Sequence, residues 1–118
     1  EIDWAYFAEA RVIADIPEKL KDAIKLCDQA IKINPDNFEA IATKAYVLSK
    51  NNETDKARAL YEESLAKGGI DYPEILEEYG DFLHRLNDNN AALRYWKIAI
   101  DKGTPLPVLR KKIDEVKL

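Results

Sequence analysis

Methionine is missing from the sequence, and cysteine, histidine, glycine and proline are all scarce. The single cysteine, Cys27, excludes an internal disulfide, so cysteine usage does not distinguish a reducing from an oxidising compartment. With only 4 glycines and 5 prolines among 118 residues, the chain has few turn-forming positions, and long helices are favoured over turn-rich β architecture. These shortages predict an all-α fold.

Long apolar runs and an excess of charge of one sign are also missing. No run approaches the roughly 20 apolar residues that span a bilayer, so membrane insertion is not expected. The 22 acidic and 18 basic residues are spread along the chain and give a net charge of −4, which disfavours nucleic acid as a partner. The start at Glu1 without methionine favours a processed or truncated N-terminus. The compartment therefore stays open between the cytoplasm and a bacterial envelope or periplasm.

The sequence repeats itself with separations of 34 and 35 residues. Small residues recur at matching places, Ala10, Ala45 and Gly80 in one set and Ala23, Ala57 and Ala92 in a second. Larger residues follow the second set by four positions, at Cys27, Tyr61 and Trp96. Two helices approach closely only where the side chains at their crossing are short, so each period is predicted to hold a pair of packed helices.

Helical periodicity gives the extent of these pairs. The first helices are predicted near 3–15, 37–50 and 73–86, and the second near 18–33, 54–67 and 88–102. The tail has apolar Leu109, Ile113 and Val116 at helical spacing, which predicts a capping helix at about 105–117. We expect one domain over residues 1–118, as a piece of a longer chain, with repeats at about 3–36, 37–71 and 72–104.

These positions resemble the tetratricopeptide repeat family, whose signature is a small residue at the eighth, twentieth and twenty-seventh positions and a large one at the twenty-fourth. The third repeat matches with Gly80, Ala92, Trp96 and Ala99, and the second with Ala45, Ala57, Tyr61 and Ser64. In the first repeat, Ala10 and Ala23 are 13 residues apart rather than 12. Either one residue is inserted near Pro17, which we favour, or Arg11 takes the small position.

The resemblance implies a right-handed superhelical stack of three helical hairpins closed by the capping helix. Tyr79-Gly80-Asp81, Tyr95-Trp96-Lys97 and the last charged helix look like the C-terminal ends of longer bacterial members of the family. The N-terminus has no comparable cap. Its first helix is crowded with Trp4, Tyr6 and Phe7, which predicts that upstream repeats or a partner cover this end.

The resemblance also implies that the first helices line a concave groove that accepts an extended peptide or a helix. The groove positions are Trp4, Phe7, Arg11, Glu39, Thr43, Tyr46, Lys50, Glu74, Glu78, Asp81 and Arg85. For each of them an ordinary solvated face is the alternative. Members that bind chaperone tails grip a terminal carboxylate with cations, and Glu74 and Glu78 would repel such a ligand. We therefore expect a basic or mixed-charge protein or peptide partner.

Reactive side chains are too few to predict an enzyme, a metal site or a cofactor. Cys27 falls at a core position of the repeat. Asp81 and His84 lie three residues apart, but two ligands make a weak metal site and a surface histidine is the simpler interpretation. Trp96 falls on the core register, whereas Trp4 has no large counterpart in the other repeats and is the strongest single functional candidate.

Two functions follow from these observations. The first is a protein-interaction module or scaffold that binds a partner in its groove. The second is a structural segment that continues a longer solenoid or self-associates as a homo-oligomer through its uncapped N-terminal face.

Overall fold

The computed structural model describes residues 3–117, and over that range it contains helices and no strand. The helices are α1 Asp3–Ile13, α2 Leu20–Ile33, α3 Phe38–Lys50, α4 Thr54–Ala66, α5 Pro73–Arg85, α6 Asn89–Asp101 and α7 Leu106–Lys117. Two short 3-10 turns, Pro17–Lys19 and Gly69–Asp71, precede α2 and α5. None of these described helices is long and apolar enough to cross a membrane. The prediction of an all-α fold built from three hairpins and a closing helix is confirmed.

The chain divides after Gly69 into two compact units. The N-terminal unit contains the hairpins α1–α2 and α3–α4, and α3 packs against both helices of the first hairpin. The C-terminal unit contains the hairpin α5–α6 and the closing helix α7, which packs on α6. The single domain and its repeat boundaries stay a prediction.

Small residues lie at the helix crossings of the N-terminal unit. Ala10 and Ala23 are fully buried, and they form one core cluster with Ala14, Cys27 and Val47. Arg11, by contrast, is only half-buried, so Ala10 occupies the small position of the first repeat. The connection within the first hairpin is longer than that within the second. Residues 14–19 join α1 to α2 and include the 3-10 turn, whereas residues 51–53 join α3 to α4.

Side-chain hydrogen bonds fix where α3 begins and how it is held. The Asn37 side chain accepts a hydrogen bond from the Ala40 amide at 3.1 Å and so caps the helix. Its Nδ2 atom also donates to Asp3 at 2.7 Å, which joins the start of α3 to the start of α1. The Ser64 hydroxyl donates to the Phe38 carbonyl at 2.8 Å and ties α4 to the same place.

Trp96 forms the centre of the C-terminal unit. Its side chain is fully buried, and a Cβ atom added to Gly80 would collide with the indole ring. The missing side chain at Gly80 therefore lets α5 and α6 approach closely. On α7, Leu109 is fully buried and Ile113 nearly so, as a capping helix requires.

Candidate functional site

The predicted groove face of the N-terminal unit is formed by α1 and α3. The Arg11 guanidinium lies over the Tyr46 ring, 4.4 Å from its centre, and Nη2 of Arg11 donates a hydrogen bond of 3.3 Å to the Thr43 hydroxyl. A cation above an aromatic face is attracted by the ring electrons. These contacts hold the arginine of α1 flat against the tyrosine of α3.

A second cation and a carboxylate complete this arrangement. Lys50 Nζ lies 5.2 Å from the centre of the Tyr46 ring and 3.3 Å from an Asp15 oxygen. The Tyr46 hydroxyl donates to Asp15 at 2.9 Å. Hydrogen bonds from Tyr46 and Lys50 lower the pKa of Asp15, while burial and the bond to Asp15 raise the pKa of Tyr46. We call Arg11, Asp15, Tyr46 and Lys50 the Tyr46 cluster.

Three further groove candidates of this unit differ in exposure. Trp4 is 63 % exposed and Glu39 is exposed, whereas Phe7 is half-buried. Thr43 is only 2 % exposed, because its hydroxyl is covered by Arg11 and donates to the Glu39 carbonyl at 2.8 Å. Thr43 thus holds Arg11 from below the surface, and its role as a partner-contacting residue stays a prediction.

The acidic helix α5 of the C-terminal unit is already engaged in part with its own unit. Asp81 accepts hydrogen bonds from the Trp96 indole at 3.1 Å and from Lys112 of α7 at 2.9 Å. Glu77 accepts a hydrogen bond from the Thr104 hydroxyl. The Glu74 side chain is exposed and makes no hydrogen bond or ion pair with any other residue between 3 and 117. Of the four carboxylates on this helix, Glu74 is therefore the one most open to a partner.

The other two groove candidates of α5 lie at different depths. Glu78 is half-buried, and Arg85 is exposed in the last turn of the helix. Asp81 is a groove candidate too, but the charge of Lys112 balances its carboxylate. The predicted groove residues of α5 therefore differ in how far their side chains are open to solvent.

Sequence reasoning did not single out Asp15. The signal that could have found it is an acidic residue two positions after the end of α1, which can pair with basic Lys50 at the end of α3. Lys112 of the capping helix was not singled out either. Both contacts depend on how neighbouring helices cross, and helical periodicity along one helix does not contain that information.

The remaining reactive groups do not form a chemical site in the part of the chain that the structure describes. No group of three or more His, Cys, Asp or Glu side chains is placed to hold a metal ion among residues 3–117. His84 is exposed and its Nδ1 atom lies 3.1 Å from the Asn89 side-chain oxygen. Burial raises the pKa of the Cys27 thiol to about 12, so this cysteine is a packing residue with little thiolate.

Comparison with known proteins is informative mainly at the level of fold. Residues 17–69 match the family model described as tetratricopeptide repeat. No curated protein matches the sequence at a significant level. Among solved structures, PilF of Pseudomonas aeruginosa is similar with a TM-score of 0.77 and 23 % identity, over 84 % of this chain and 44 % of that one. The chain thus spans less than half the length of PilF.

Two further solved structures are similar over nearly the whole chain. The type III secretion chaperone SycD of Yersinia enterocolitica has a TM-score of 0.71 at 13 % identity, covering 96 % of this chain and 85 % of SycD. The TPR2B domain of yeast Sti1 has a TM-score of 0.71 at 17 % identity, covering 95 % and 93 %. The family model matches the stretch from the 3-10 turn before α2 through α4, and the solved structures share the helical repeat fold of this chain.

Proposed function

We propose that the chain is a protein-interaction module without catalytic activity, and that the first helices of its hairpins bind a peptide or a helix of another protein. The observation that carries this proposal is the Tyr46 cluster. Its side chains are partly exposed, yet a cation–π contact, a hydrogen bond and an ion pair hold them in one arrangement. A surface that is ordered before binding loses less conformational entropy when a partner docks.

The similar structures support a peptide or protein as the partner. SycD was solved in complex with a peptide of the translocator YopD, and the Sti1 domain in a complex named for pHsp70. Both share the helical repeat fold with this chain, although at identities that carry no information on their ligands' chemistry here. A peptide is therefore the class of ligand with which to begin.

The charges favour a partner of mixed charge. In the N-terminal unit, Arg11 and Lys50 place two cations near the Tyr46 ring. In the C-terminal unit, Glu74 is exposed without a partner among the described residues. An acidic group of a partner suits the Tyr46 cluster, and a basic group suits Glu74. A ligand recognised only by its terminal carboxylate leaves Glu74 without a counter-charge.

The test is selection from a displayed library of random peptides, followed by affinity measurement on the selected peptides. We expect the selected peptides to carry Lys or Arg together with Asp or Glu. Glu74→Lys should weaken their binding about tenfold, which corresponds to ~1.4 kcal/mol. Reversing Glu74 and Glu78 together should weaken it further.

The matched control is Glu115→Lys, the same charge reversal on an exposed residue of α7. Binding to this variant should equal that of the natural chain. Equal binding to Glu74→Lys, Tyr46→Ala and the natural chain would contradict the proposal, because the selected peptides would then bind elsewhere.

A second candidate function is structural, and the exposure of α1 favours it. Val12 is 75 % exposed and Trp4 63 % exposed on the same helix. Contiguous apolar side chains at a surface mark sites of interaction with another protein. In this function the outer side of α1 packs against another helical surface, in a longer solenoid or a homo-oligomer.

A further inference from the structure

The outer side of α1 carries an apolar stripe, which we define as Ala5, Ala8 and Val12 with Trp4 at its edge. These residues lie within about 100° around the helix axis. Ala8 and Val12 are exposed, and no charged residue interrupts the stripe. The alanines leave the helix backbone accessible to a second helix at close range.

The equivalent positions of the second repeat, on α3, are buried. The residues 35 positions later on α3 are Ala40, Thr43 and Val47, and their exposures are 0 %, 2 % and 0 %. The first hairpin covers two of them: Arg11 binds Thr43, and Val47 packs into the cluster that contains Ala23 and Cys27. The stripe on α1 therefore occupies helix-packing positions of the repeat, but Ala8 and Val12 are left exposed there.

The charged residues near the stripe favour a second copy of this chain as the partner. Beside the stripe, α1 and α2 border a cleft of about 450 Å³ with an apolar floor that includes Tyr6, Ile13 and Leu26. The charged residues around it are Glu9, Asp22, Lys19 and Lys25. Two acids and two bases on one face carry no net charge, so two copies of this face meet without repulsion and each acid can face a lysine.

Contact between unlike faces is less suitable. The exposed side of α7 includes Arg110, Lys111, Asp114 and Glu115. Its exposed apolar residues, Leu106 and Val108, are two positions apart and therefore lie on different sides of the helix rather than in one stripe. A head-to-tail arrangement would bury apolar side chains against charges. A two-fold arrangement instead puts the same patch on both sides of the contact.

We propose that the α1 stripe is a dimer interface, in which it packs against the same stripe of a second copy of this chain around a two-fold axis. This inference rests on the second candidate function and names the partner of that surface. Ala8 and Val12 lie at the centre of the contact, and Glu9 and Asp22 of each copy lie near Lys19 and Lys25 of the other.

The experiment is sedimentation equilibrium of the full chain between roughly 1 and 200 μM, a range that detects dimers with micromolar dissociation constants. We expect the mass to rise from the monomer value of 13.5 kDa towards twice that value. Ala8→Glu and Val12→Glu should each raise the dissociation constant at least tenfold, since both place a carboxylate at the centre of an apolar contact. Val108→Glu, the matched change at a 56 % exposed position of α7, should leave the dimer intact.

A monomer throughout this range, or a dimer unaffected by Ala8→Glu and Val12→Glu, would overturn the proposal. Circular dichroism on each variant verifies that its helices remain. Asp28 pairs with Lys44 at 2.7 Å, and the residue 35 positions before Lys44 is Glu9. A fusion that places a second copy of residues 3–36 before residue 3, with its Asp28 changed to Lys to suit Glu9, then distinguishes an upstream repeat from a second copy. If the natural chain is a monomer but the fusion is more stable to heat, the α1 stripe packs against an upstream repeat. The second candidate function would then stand, and the dimer would be excluded.

Discussion

At the scale of single residues, Gly80 and Trp96 form the most demanding contact of the C-terminal unit. The indole occupies the space that a side chain at position 80 would need. Both residues were predicted from the repeat signature, because steric exclusion at a helix crossing leaves a direct trace in the sequence as a small residue opposite a large one.

In Gly80→Ala, overpacking of the core should cost about 1–3 kcal/mol. Alanine regains about 1 kcal/mol over glycine inside a helix, so we expect a net loss of stability of up to about 2 kcal/mol. Urea unfolding monitored by circular dichroism measures it. In a Trp96→Phe background the smaller ring leaves room, so the same change should cost less. Equal costs in both backgrounds would show that Gly80 and Trp96 are not coupled.

Cys27 gives a second prediction at this scale. Its pKa is raised from 9.0 to about 12 by burial, so the thiolate fraction at pH 8 falls about a thousandfold. Alkylation by iodoacetamide at pH 8 should accordingly be at least that much slower in the folded chain than in the chain unfolded by urea. Rapid alkylation of the folded chain would mean that the thiol is accessible and contradict its place in the core.

Thr43 shows where sequence reasoning about the site stops. Its position in the repeat predicts a side of α3, but the depth of its side chain depends on Arg11, a long side chain from a different helix. The same holds for Asp15 and Lys112. Which residues share a face follows from periodicity, whereas which of them stay open to a partner follows from cross-helix contacts.

At the scale of helices, boundaries were predicted well where capping and turn residues mark them. The predicted 54–67 and 73–86 each lie within one residue of α4 and α5 at both ends. The first hairpin was less accurate, since α1 ends at Ile13 rather than near residue 15 and Pro17–Lys19 form a separate 3-10 turn. A proline fixes its own φ angle, but several local turns satisfy that angle equally well.

Asn37→Ala should remove the cap of α3 together with the hydrogen bond to Asp3 of α1. We expect a loss of about 1 kcal/mol in the free energy of unfolding, typical of an N-cap. The control is Asn90→Ala, at an exposed position of α6 with no side-chain hydrogen bond recorded among residues 3–117. Similar losses in the two variants would indicate a general effect of asparagine rather than a cap.

At the scale of the whole molecule, acid should act on the N-terminal unit. Hydrogen bonds from Asn37, Tyr46 and Asn51 lower the pKa values of Asp3, Asp15 and Glu53, all of which precede Gly69. A lowered pKa in the folded state adds stability above the usual values of 3.8 for Asp and 4.5 for Glu. That stability is lost as the pH falls through the lower, folded-state values.

Thermal unfolding recorded between pH 7 and pH 2.5 measures this effect. The melting temperature should begin to fall below about pH 4.5 and continue to fall towards pH 2.5. In Asp15→Asn the fall should be shallower, because one of the three linked protonations has been removed. An unchanged profile in this variant would exclude Asp15 as a source of acid sensitivity.

The division after Gly69 also determines what a spectroscopic measurement reports. With Trp4 changed to Phe, the only tryptophan is Trp96, and its emission follows the C-terminal unit, while the reactivity of Cys27 follows the N-terminal unit. Helical repeats unfold together only when the coupling between neighbours exceeds the difference in their own stabilities. If the two midpoints in urea differ, the midpoint read from Trp96 fluorescence describes only the C-terminal unit, which does not contain the Tyr46 cluster.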